Sequence, residues 1–87
     1  VCLFDTAAGE LSPGDYRDLV VPKITRMMKE FKKACPDKKI IYYSKHTQAA
    51  HVKCLDLSLI DVVGVDWRCD LVEIQKLLPP NVFIQGN

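Results

Sequence analysis

Four short apolar runs, each followed at once by polar or aromatic residues, constrain what this chain can fold into. The runs are residues 1–4, 40–43, 62–65 and 82–84, and the groups that follow them are residues 5–6, 44–46, 66–67 and 85–87. Continuous β-branched and aromatic runs are typical of strands buried on both faces, as in parallel sheets. Parallel sheets bind ligands at the carboxyl edge, where the loops to the next helices begin. The pattern therefore predicts parallel strands whose polar ends line a binding site.

A long helical pattern follows the first predicted strand. Ser12 is a suitable N-cap, Pro13 suits the first helical position, and apolar residues then recur at spacings of three and four to about residue 35. Because proline removes an amide donor and clashes with the preceding turn, Pro22 predicts a kink or a fresh start within this helix.

Two further helical segments complete an alternation of strands and helices. Thr47 is predicted to cap a helix over residues 48–57. Asp70 and Glu73 predict a capped helix over residues 70–78 whose buried face includes Leu71. Strands that begin near residues 1, 40, 61 and 82 are thus joined by helices, and the sequence predicts an α/β fold of the order βαβαβαβ.

Composition excludes some classes of partner. The 87 residues are 48% hydrophobic and 26% charged, with a net charge of +1, which is ordinary for a globular protein. The lysines and arginine of the first helix are diluted by acidic neighbours, so we expect no nucleic-acid partner. Apolar stretches of about five residues are far shorter than the roughly twenty that span a bilayer. We therefore expect no membrane partner and a cytoplasmic location.

Cysteine spacing argues against disulfides and metal. Cys2, Cys35, Cys54 and Cys69 lie far apart and form no Cys-x-x-Cys pair, so we expect buried free thiols. His51 and Cys54 are one helical turn apart, but a metal site needs a third ligand that the neighbouring sequence does not supply. The sequence predicts no metal.

A four-stranded parallel sheet with helices on one side would leave its other face bare. Closure into a (β/α)8 barrel would bury that face, and such barrels need about 250 residues. The chain starts in mid-strand and ends without a covering helix, so we expect residues 1–87 to be one partial barrel domain without an internal boundary.

Three strand-end motifs resemble those of the uroporphyrinogen decarboxylase family. Residues 4–12 with 15–16, residues 63–67 and residues 85–87 carry them. In that family one strand ends in Phe-(Asp/Glu)-(Ser/Thr)-x-x-Gly, a later one in Gly-(Leu/Ile/Val)-Asp-Trp, and the next in Gln-Gly-Asn-Leu-Asp-Pro. The resemblance covers the whole chain and places it in the later-middle part of a (β/α)8 TIM-type barrel.

The resemblance implies a carboxy-lyase of heme biosynthesis. Members convert uroporphyrinogen III to coproporphyrinogen III by removing four acetate carboxyl groups, as homodimers and without metal or organic cofactor. The protonated pyrrole of the substrate accepts the electrons of the departing carboxylate, so the protein supplies positioning, proton transfer and electrostatic stabilisation. The family's arginine pair, aspartate, tyrosine and histidine lie outside these 87 residues, so we expect no catalytic residue within the segment and no activity from it alone.

Thr6 is the one substrate-binding residue that the resemblance places in this segment. It matches the family's Ser/Thr position, whose hydroxyl contacts a substrate carboxylate. A hydroxyl at the carboxyl end of a strand faces the mouth of a barrel, which favours this role over a hydrogen bond to a local carbonyl.

Lys45 and Asp66 are candidate rim residues. Lys45 either attracts substrate carboxylates or forms a surface ion pair. Asp66 is expected to accept loop hydrogen bonds while Trp67 packs beneath the rim. His46 departs from the family, which commonly has glycine after the lysine, and Gly86 with Asn87 is expected to form a tight turn.

Two alternatives stay open at this point. Related barrel methyltransferases of cobalamin metabolism activate a thiol on zinc with a His-x-Cys motif at the end of the equivalent strand. This chain has Tyr43, Ser44 and Lys45 there, which disfavours that reaction. A catalytically inert barrel or interaction module would keep the same strands and lack the catalytic residues elsewhere.

Overall fold

The computed structural model describes residues 1–86, which form one four-stranded parallel sheet. Its strands are β1 (Cys2–Asp5), β2 (Ile41–Ser44), β3 (Val62–Gly64) and β4 (Phe83–Gln85). They lie side by side in chain order, each paired in parallel with the next. The predicted α/β order is confirmed, with β1, β2 and β4 each lying one residue later than their apolar runs and β3 ending one residue earlier than its run.

The helix after β1 begins as predicted and contains a π segment before Pro22. Ser12 accepts a hydrogen bond from the Asp15 amide at 3.2 Å and caps α1 (Pro13–Asp15). A π segment (Tyr16–Val20) follows and leads directly into α2 (Val21–Ala34). The wider π turn accommodates a proline that cannot donate to the preceding turn. The interruption predicted at Pro22 is confirmed, and its form is a π segment in a continuous helix.

The second connecting helix is shorter than predicted, and its cap is different. α3 spans Ala49–Val52, and the amide of Gln48 donates to Nδ1 of His51 at 3.0 Å. The Thr47 hydroxyl instead donates to the Ser44 carbonyl at 2.9 Å, so the prediction of Thr47 as the cap is wrong. After Val52 the backbone continues in tighter turns, in which the amides of Cys54 and Leu55 donate to carbonyls three residues back.

The third helix is capped as the sequence predicts. The Asp70 carboxylate accepts hydrogen bonds from the amides of Val72 at 2.9 Å and Glu73 at 3.3 Å, and α4 spans Leu71–Leu77. Ile74 is fully buried, whereas Leu71 is 45% exposed. Leu71 lies over the backbone of Gly86 rather than in the core, so its assignment to the buried face is wrong.

The helices cover one face of the sheet and leave the other open. The core side chains Tyr16, Met28, Ile40, Tyr42 and Ile74 are almost completely buried. On the opposite face Phe4 is 73% exposed and Phe83 is 69% exposed. A one-sided sheet of this kind is the geometry that a barrel closes.

None of the helices in residues 1–86 has both the length and the apolar character that a membrane-spanning helix needs.

A polar cluster at the amino edge of the sheet holds β2, β3 and α2 together. Asp61 accepts hydrogen bonds from the Ile40 amide at 2.8 Å and from Lys32 Nζ at 2.9 Å. Burial acts to raise the pKa of Asp61, but these two contacts outweigh it and hold the pKa below its ordinary value of 3.8. In barrels, this edge serves stability and the opposite edge serves function.

Candidate active site at the carboxyl edge of the sheet

The carboxyl ends of all four strands meet at one edge. Asp5 pairs with Ser44, Tyr43 pairs with Gly64, and Gly64 pairs with Gln85. This register brings the loops after the strands together, so the candidate residues Thr6, Lys45 and Asp66 lie along one rim. The predicted turn at Gly86 and Asn87 involves Asn87, which lies outside the described residues.

Thr6 lies exposed in the turn directly after β1. None of the side-chain hydrogen bonds within residues 1–86 involves its hydroxyl, so no local carbonyl competes for it there. The preceding residue, Asp5, is fixed by a hydrogen bond that Tyr42 Oη donates to its carboxylate at 3.1 Å. The backbone that carries Thr6 is therefore anchored, while the Thr6 side chain itself is open to a ligand.

A buried pair of phenols supports this anchor. Tyr16 Oη and Tyr42 Oη are 2.6 Å apart. Since Tyr42 donates to Asp5, Tyr16 donates to Tyr42. Burial raises the pKa of Tyr16 to about 12, against a smaller lowering by the hydrogen bond with Tyr42. Burial is also the main cause that raises the pKa of Tyr42, so both phenols stay protonated and the chain of hydrogen bonds is kept at neutral pH.

Gly9 allows the loop after β1 to press against the loop after β2. A Cβ atom at Gly9 would lie 2.3 Å from the His46 carbonyl carbon and 2.4 Å from the Lys45 oxygen. Only a glycine fits such a close approach between two backbones. The glycine of the Phe-Asp-Thr-x-x-Gly motif thus has a structural reason that the sequence alone did not reveal.

Asp66 joins the loops after β2 and β3. Its carboxylate is buried and accepts hydrogen bonds from the His46 amide at 2.9 Å, the Arg68 amide at 3.0 Å and Arg68 Nη1 at 3.0 Å. Burial acts to raise the pKa of Asp66, but these donors outweigh it and leave the pKa below its ordinary value. The expected loop hydrogen bonds of Asp66 are present in the structure.

His46 occupies left-handed backbone at the tip of the β2 loop, with φ of 67°. Left-handed backbone favours glycine, and glycine is the residue commonly found at this position in the family that the motifs resemble. His46 Nε2 lies 3.6 Å from Glu10 Oε1 and 3.4 Å from Arg68 Nη1. The neighbouring Lys45 is exposed and takes no part in the ion pairs of the described residues.

Trp67 is exposed, contrary to the expectation that it packs beneath the rim. Its exposed fraction is 73%, and the guanidinium carbon of Arg68 lies 4.6 Å from its ring centroid. Asp66 ends the run of buried residues, so the next side chain turns outward into the loop. Arg68 was not singled out from the sequence, and its position next to a strand-end Asp-Trp pair is the signal that could have found it.

An apolar groove lies on the open face below this rim. Phe4, Tyr43, Gly64 and Gln85 are among the residues that line its volume of about 310 Å³. The rings of Phe4 and Tyr43 meet edge to face, with centroids 5.9 Å apart. A Cβ at Gly64 would lie 3.1 Å from the Tyr43 ring, so this glycine makes room for the aromatic side chain.

The side chains at this edge are not arranged to hold a metal ion. Within residues 1–86 there is no group of three His, Cys, Asp or Glu side chains with suitable placement. The four cysteines are free thiols, as expected, and each is partly buried. Cys69 donates to the Thr47 carbonyl, and burial raises the pKa of its thiol.

Comparison with known proteins identifies the family. The family model for uroporphyrinogen decarboxylase (URO-D) matches residues 1–87, which is the whole chain. The chain belongs to the uroporphyrinogen decarboxylase family. The fold of this family is the TIM barrel, so the four parallel strands are part of a (β/α)8 barrel. The predicted fold and the predicted family are both confirmed.

Curated uroporphyrinogen decarboxylases align with the full length of the chain. Over 87 residues it is 36% identical to the enzyme of Gloeobacter violaceus, 38% to that of Thermosynechococcus vestitus and 33% to the chloroplastic one of Zea mays. These alignments cover 100% of the chain but 25%, 25% and 22% of the relatives. The chain thus spans about a quarter of the length of the curated relatives it matches. No solved structure matches it significantly.

Membership of the uroporphyrinogen decarboxylase family does not favour the methyltransferase alternative. The end of β2 carries Tyr43, Ser44 and Lys45 in the position where that alternative needs a zinc-binding His-x-Cys motif. Within residues 1–86, the motifs of the decarboxylase family instead lie at the carboxyl ends of β1, β3 and β4, on one edge of the sheet.

Proposed function

We propose that this chain is the later-middle part of the barrel of a uroporphyrinogen decarboxylase, a carboxy-lyase that converts uroporphyrinogen III to coproporphyrinogen III. The observation that carries the proposal is that the described residues of the three family motifs lie at the ends of β1, β3 and β4, on one carboxyl edge. Gly9 supports it because the loops after β1 and β2 could not approach each other with any other residue there. The match of the family model along all 87 residues supports it independently.

The proposed reaction needs no metal or organic cofactor, because the substrate provides its own electron sink. Protonation of a pyrrole carbon creates a cation, the bond to the acetate carboxyl carbon breaks, and its electrons neutralise the ring as carbon dioxide leaves. A second proton then converts the remaining methylene group to a methyl group, and the ring carbon releases the first proton, so that one proton is taken up for each carbon dioxide released. The protein must hold the macrocycle, place an acid and stabilise the cation. The groups that transfer protons belong to parts of the barrel outside residues 1–87.

Thr6 is the proposed substrate-binding residue of this segment. Its hydroxyl is exposed at the end of β1, has no protein partner within residues 1–86, and can donate to a carboxylate oxygen of the porphyrinogen. The hydrogen bonds from Tyr16 to Tyr42 and from Tyr42 to Asp5 fix the strand end beneath it. A positioned donor to an anionic oxygen contributes roughly 1.5–3 kcal/mol.

Lys45 and Asp66 take different parts at the proposed rim. Lys45 is exposed beside Thr6 in the next loop and adds positive charge for the carboxylates of the substrate. Asp66 is buried and accepts three hydrogen bonds from His46 and Arg68, so we propose that it holds the loops after β2 and β3 in place. The apolar wall formed by Phe4 and Tyr43 offers a surface for the macrocycle.

The remainder of the barrel is the proposed partner of the open faces. It would cover Phe83 on the open face of the sheet, whereas Phe4, next to the rim, stays open to the substrate. It would also cover a groove of about 390 Å³ along the β1 edge, where Leu19 and Met27 are exposed. We further propose a homodimeric enzyme of the cytoplasm without nucleic-acid or membrane partners, which sedimentation and cell fractionation would test.

Kinetics of Thr6 variants in the intact protein test the proposed function. Thr6→Ala is expected to lower kcat/KM for uroporphyrinogen III roughly 10- to 100-fold, because one charge-assisted hydrogen bond is lost. Thr6→Ser keeps the hydroxyl and should retain most activity. Thr25→Ala, on α2 and away from the rim, is the matched control. Wild-type kinetics in a stably folded Thr6→Ala protein would sink the assignment of Thr6, and an intact protein without carboxyl-lyase activity would favour an inert module.

A further inference from the structure

Trp67 and Arg68 form an exposed pair at the carboxyl end of β3. The indole ring is 73% exposed, although large rings usually contribute their area to a core. The guanidinium group of Arg68 lies over one face of this ring, at 4.6 Å from the centroid, and its side chain is 33% exposed. The pair combines an accessible aromatic surface with an accessible positive charge.

The orientation of Arg68 is fixed from below. Its Nη1 atom donates to the buried carboxylate of Asp66 at 3.0 Å and lies 3.4 Å from His46 Nε2. These contacts and the cation–π contact hold the side chain in one direction. An arginine that is already ordered loses less entropy when it binds a ligand.

Two donors of this ordered guanidinium remain available. Within residues 1–86 the contacts of the Arg68 side chain to polar atoms use Nη1 alone. The Nε–H and one Nη2–H group lie on the other side of the planar group and point in parallel. A parallel pair of donors of this kind matches the two oxygens of a carboxylate.

We propose that Arg68 and Trp67 form a second substrate contact at the rim, in which the Nε and Nη2 donors bind one carboxylate of the porphyrinogen. The free part of the Trp67 ring packs against the adjoining pyrrole. This inference rests on the proposed function and adds a specificity-determining pair to it. The chemistry that selects the ligand is the combination of an anionic carboxylate and a flat apolar ring within one molecule.

Steady-state kinetics of the intact protein provide the first test. Arg68→Gln is expected to raise KM for uroporphyrinogen III about 10-fold with little change in kcat, because a peripheral carboxylate is bound equally in the ground and transition states. Arg68→Lys should restore little of the loss, since lysine lacks the parallel donors. Arg17→Gln is the matched control, because Arg17 is also exposed and paired with a neighbouring carboxylate, that of Asp18. A wild-type KM in Arg68→Gln, or a fall in kcat alone, would overturn the proposal.

Equilibrium binding separates this proposal from the proposed function. Uroporphyrin, the oxidised octacarboxylate that cannot be turned over, serves as the probe, and its fluorescence reports binding to the intact protein. Weaker binding by Arg68→Gln and by Trp67→Ala, each about 10-fold, is expected even if the wild-type protein were to decarboxylate nothing. Equal binding by wild type and both variants would refute the contact, whether or not the protein is an enzyme.

Discussion

At the scale of single residues, the loops at the carboxyl edge of the sheet are held together by a glycine and by a histidine with left-handed backbone conformation. Gly9 touches the backbone of the β2 loop, and His46 turns that loop with φ of 67° while its amide donates to Asp66. Both positions are defined by backbone geometry rather than by side-chain chemistry. The spacing of loops that carry Thr6 and Lys45 depends on them.

Gly9→Ala in the intact protein should therefore destabilise the fold by roughly 3 kcal/mol, the upper end of the usual cost of overpacking, because its Cβ would meet backbone atoms that cannot turn aside. Urea denaturation measures the change. Gly14→Ala is the matched control, since a Cβ there meets nothing within 4 Å and should stabilise the helix by about 0.5–1 kcal/mol. Equal unfolding midpoints for the two variants would contradict the close approach of the loops.

Some of these residue-level features follow from the sequence and others do not. The positions of Thr6 and Lys45 at strand ends follow from the apolar runs before them, because local order along the chain is enough for that, whereas the proposed role of Thr6 rests on the resemblance to the family. The contact of Gly9 with His46 joins residues far apart in the chain, so no local pattern reports it. Trp67 was placed wrongly because burial of a ring depends on the direction in which the chain leaves β3, which the Gly-Val-Asp-Trp pattern does not define.

At the scale of elements, the π segment brings Tyr16 under the sheet. Its phenol meets that of Tyr42 on β2, and Tyr42 reaches Asp5 at the end of β1. Pro22 predicts an interruption of the helix at this place. The interruption is the π segment, and its first residue, Tyr16, belongs to the buried hydrogen bonds that run through Tyr42 to Asp5. The early end of α3 was not predictable from periodicity, because Val52 at the end of α3 and Leu55 in the tighter turns after it are buried just as they would be in a longer helix.

Alkaline unfolding tests this buried chain. The pKa of Tyr16 is about 12 in the folded protein and near 10 when unfolded, so the unfolded state releases its proton first as pH rises. The stability that Tyr16 contributes is thus complete below pH 10 and declines between about pH 10 and 12, by up to about 3 kcal/mol. Tyr16→Phe should cost about 1 kcal/mol at pH 7 and make the decline above pH 10 shallower than in wild type.

Tyr43→Phe provides the control for that experiment. Tyr43 lies on the opposite face of the sheet, against Phe4 and Gly64, so its removal should leave the steepness of the alkaline decline unchanged. The measurement is the free energy of unfolding of the intact protein in urea at several pH values. Parallel curves for wild type and Tyr16→Phe would show that the two phenols do not form a buried, protonated pair.

At the scale of the whole molecule, the helices of residues 1–86 cover only one face of the sheet. Helices cover Tyr42 and Val63, while Phe4 and Phe83 on the other face are largely exposed. The run lengths and the alternation of strands and helices were sufficient to predict this architecture, because burial and chain direction leave few other arrangements. We expect the groups that complete the proposed porphyrinogen site to lie outside residues 1–87, where the residues of this segment give no information about them.

The most direct test of the central claim is the number of carboxyl groups on the product after the intact protein is incubated anaerobically with uroporphyrinogen III. We expect loss of four carboxyl groups per macrocycle, ending at coproporphyrinogen III, without added metal or cofactor. We also expect a polypeptide of residues 1–87 alone to leave the substrate unchanged. Recovery of the octacarboxylate after incubation with a folded, intact protein would contradict the central claim.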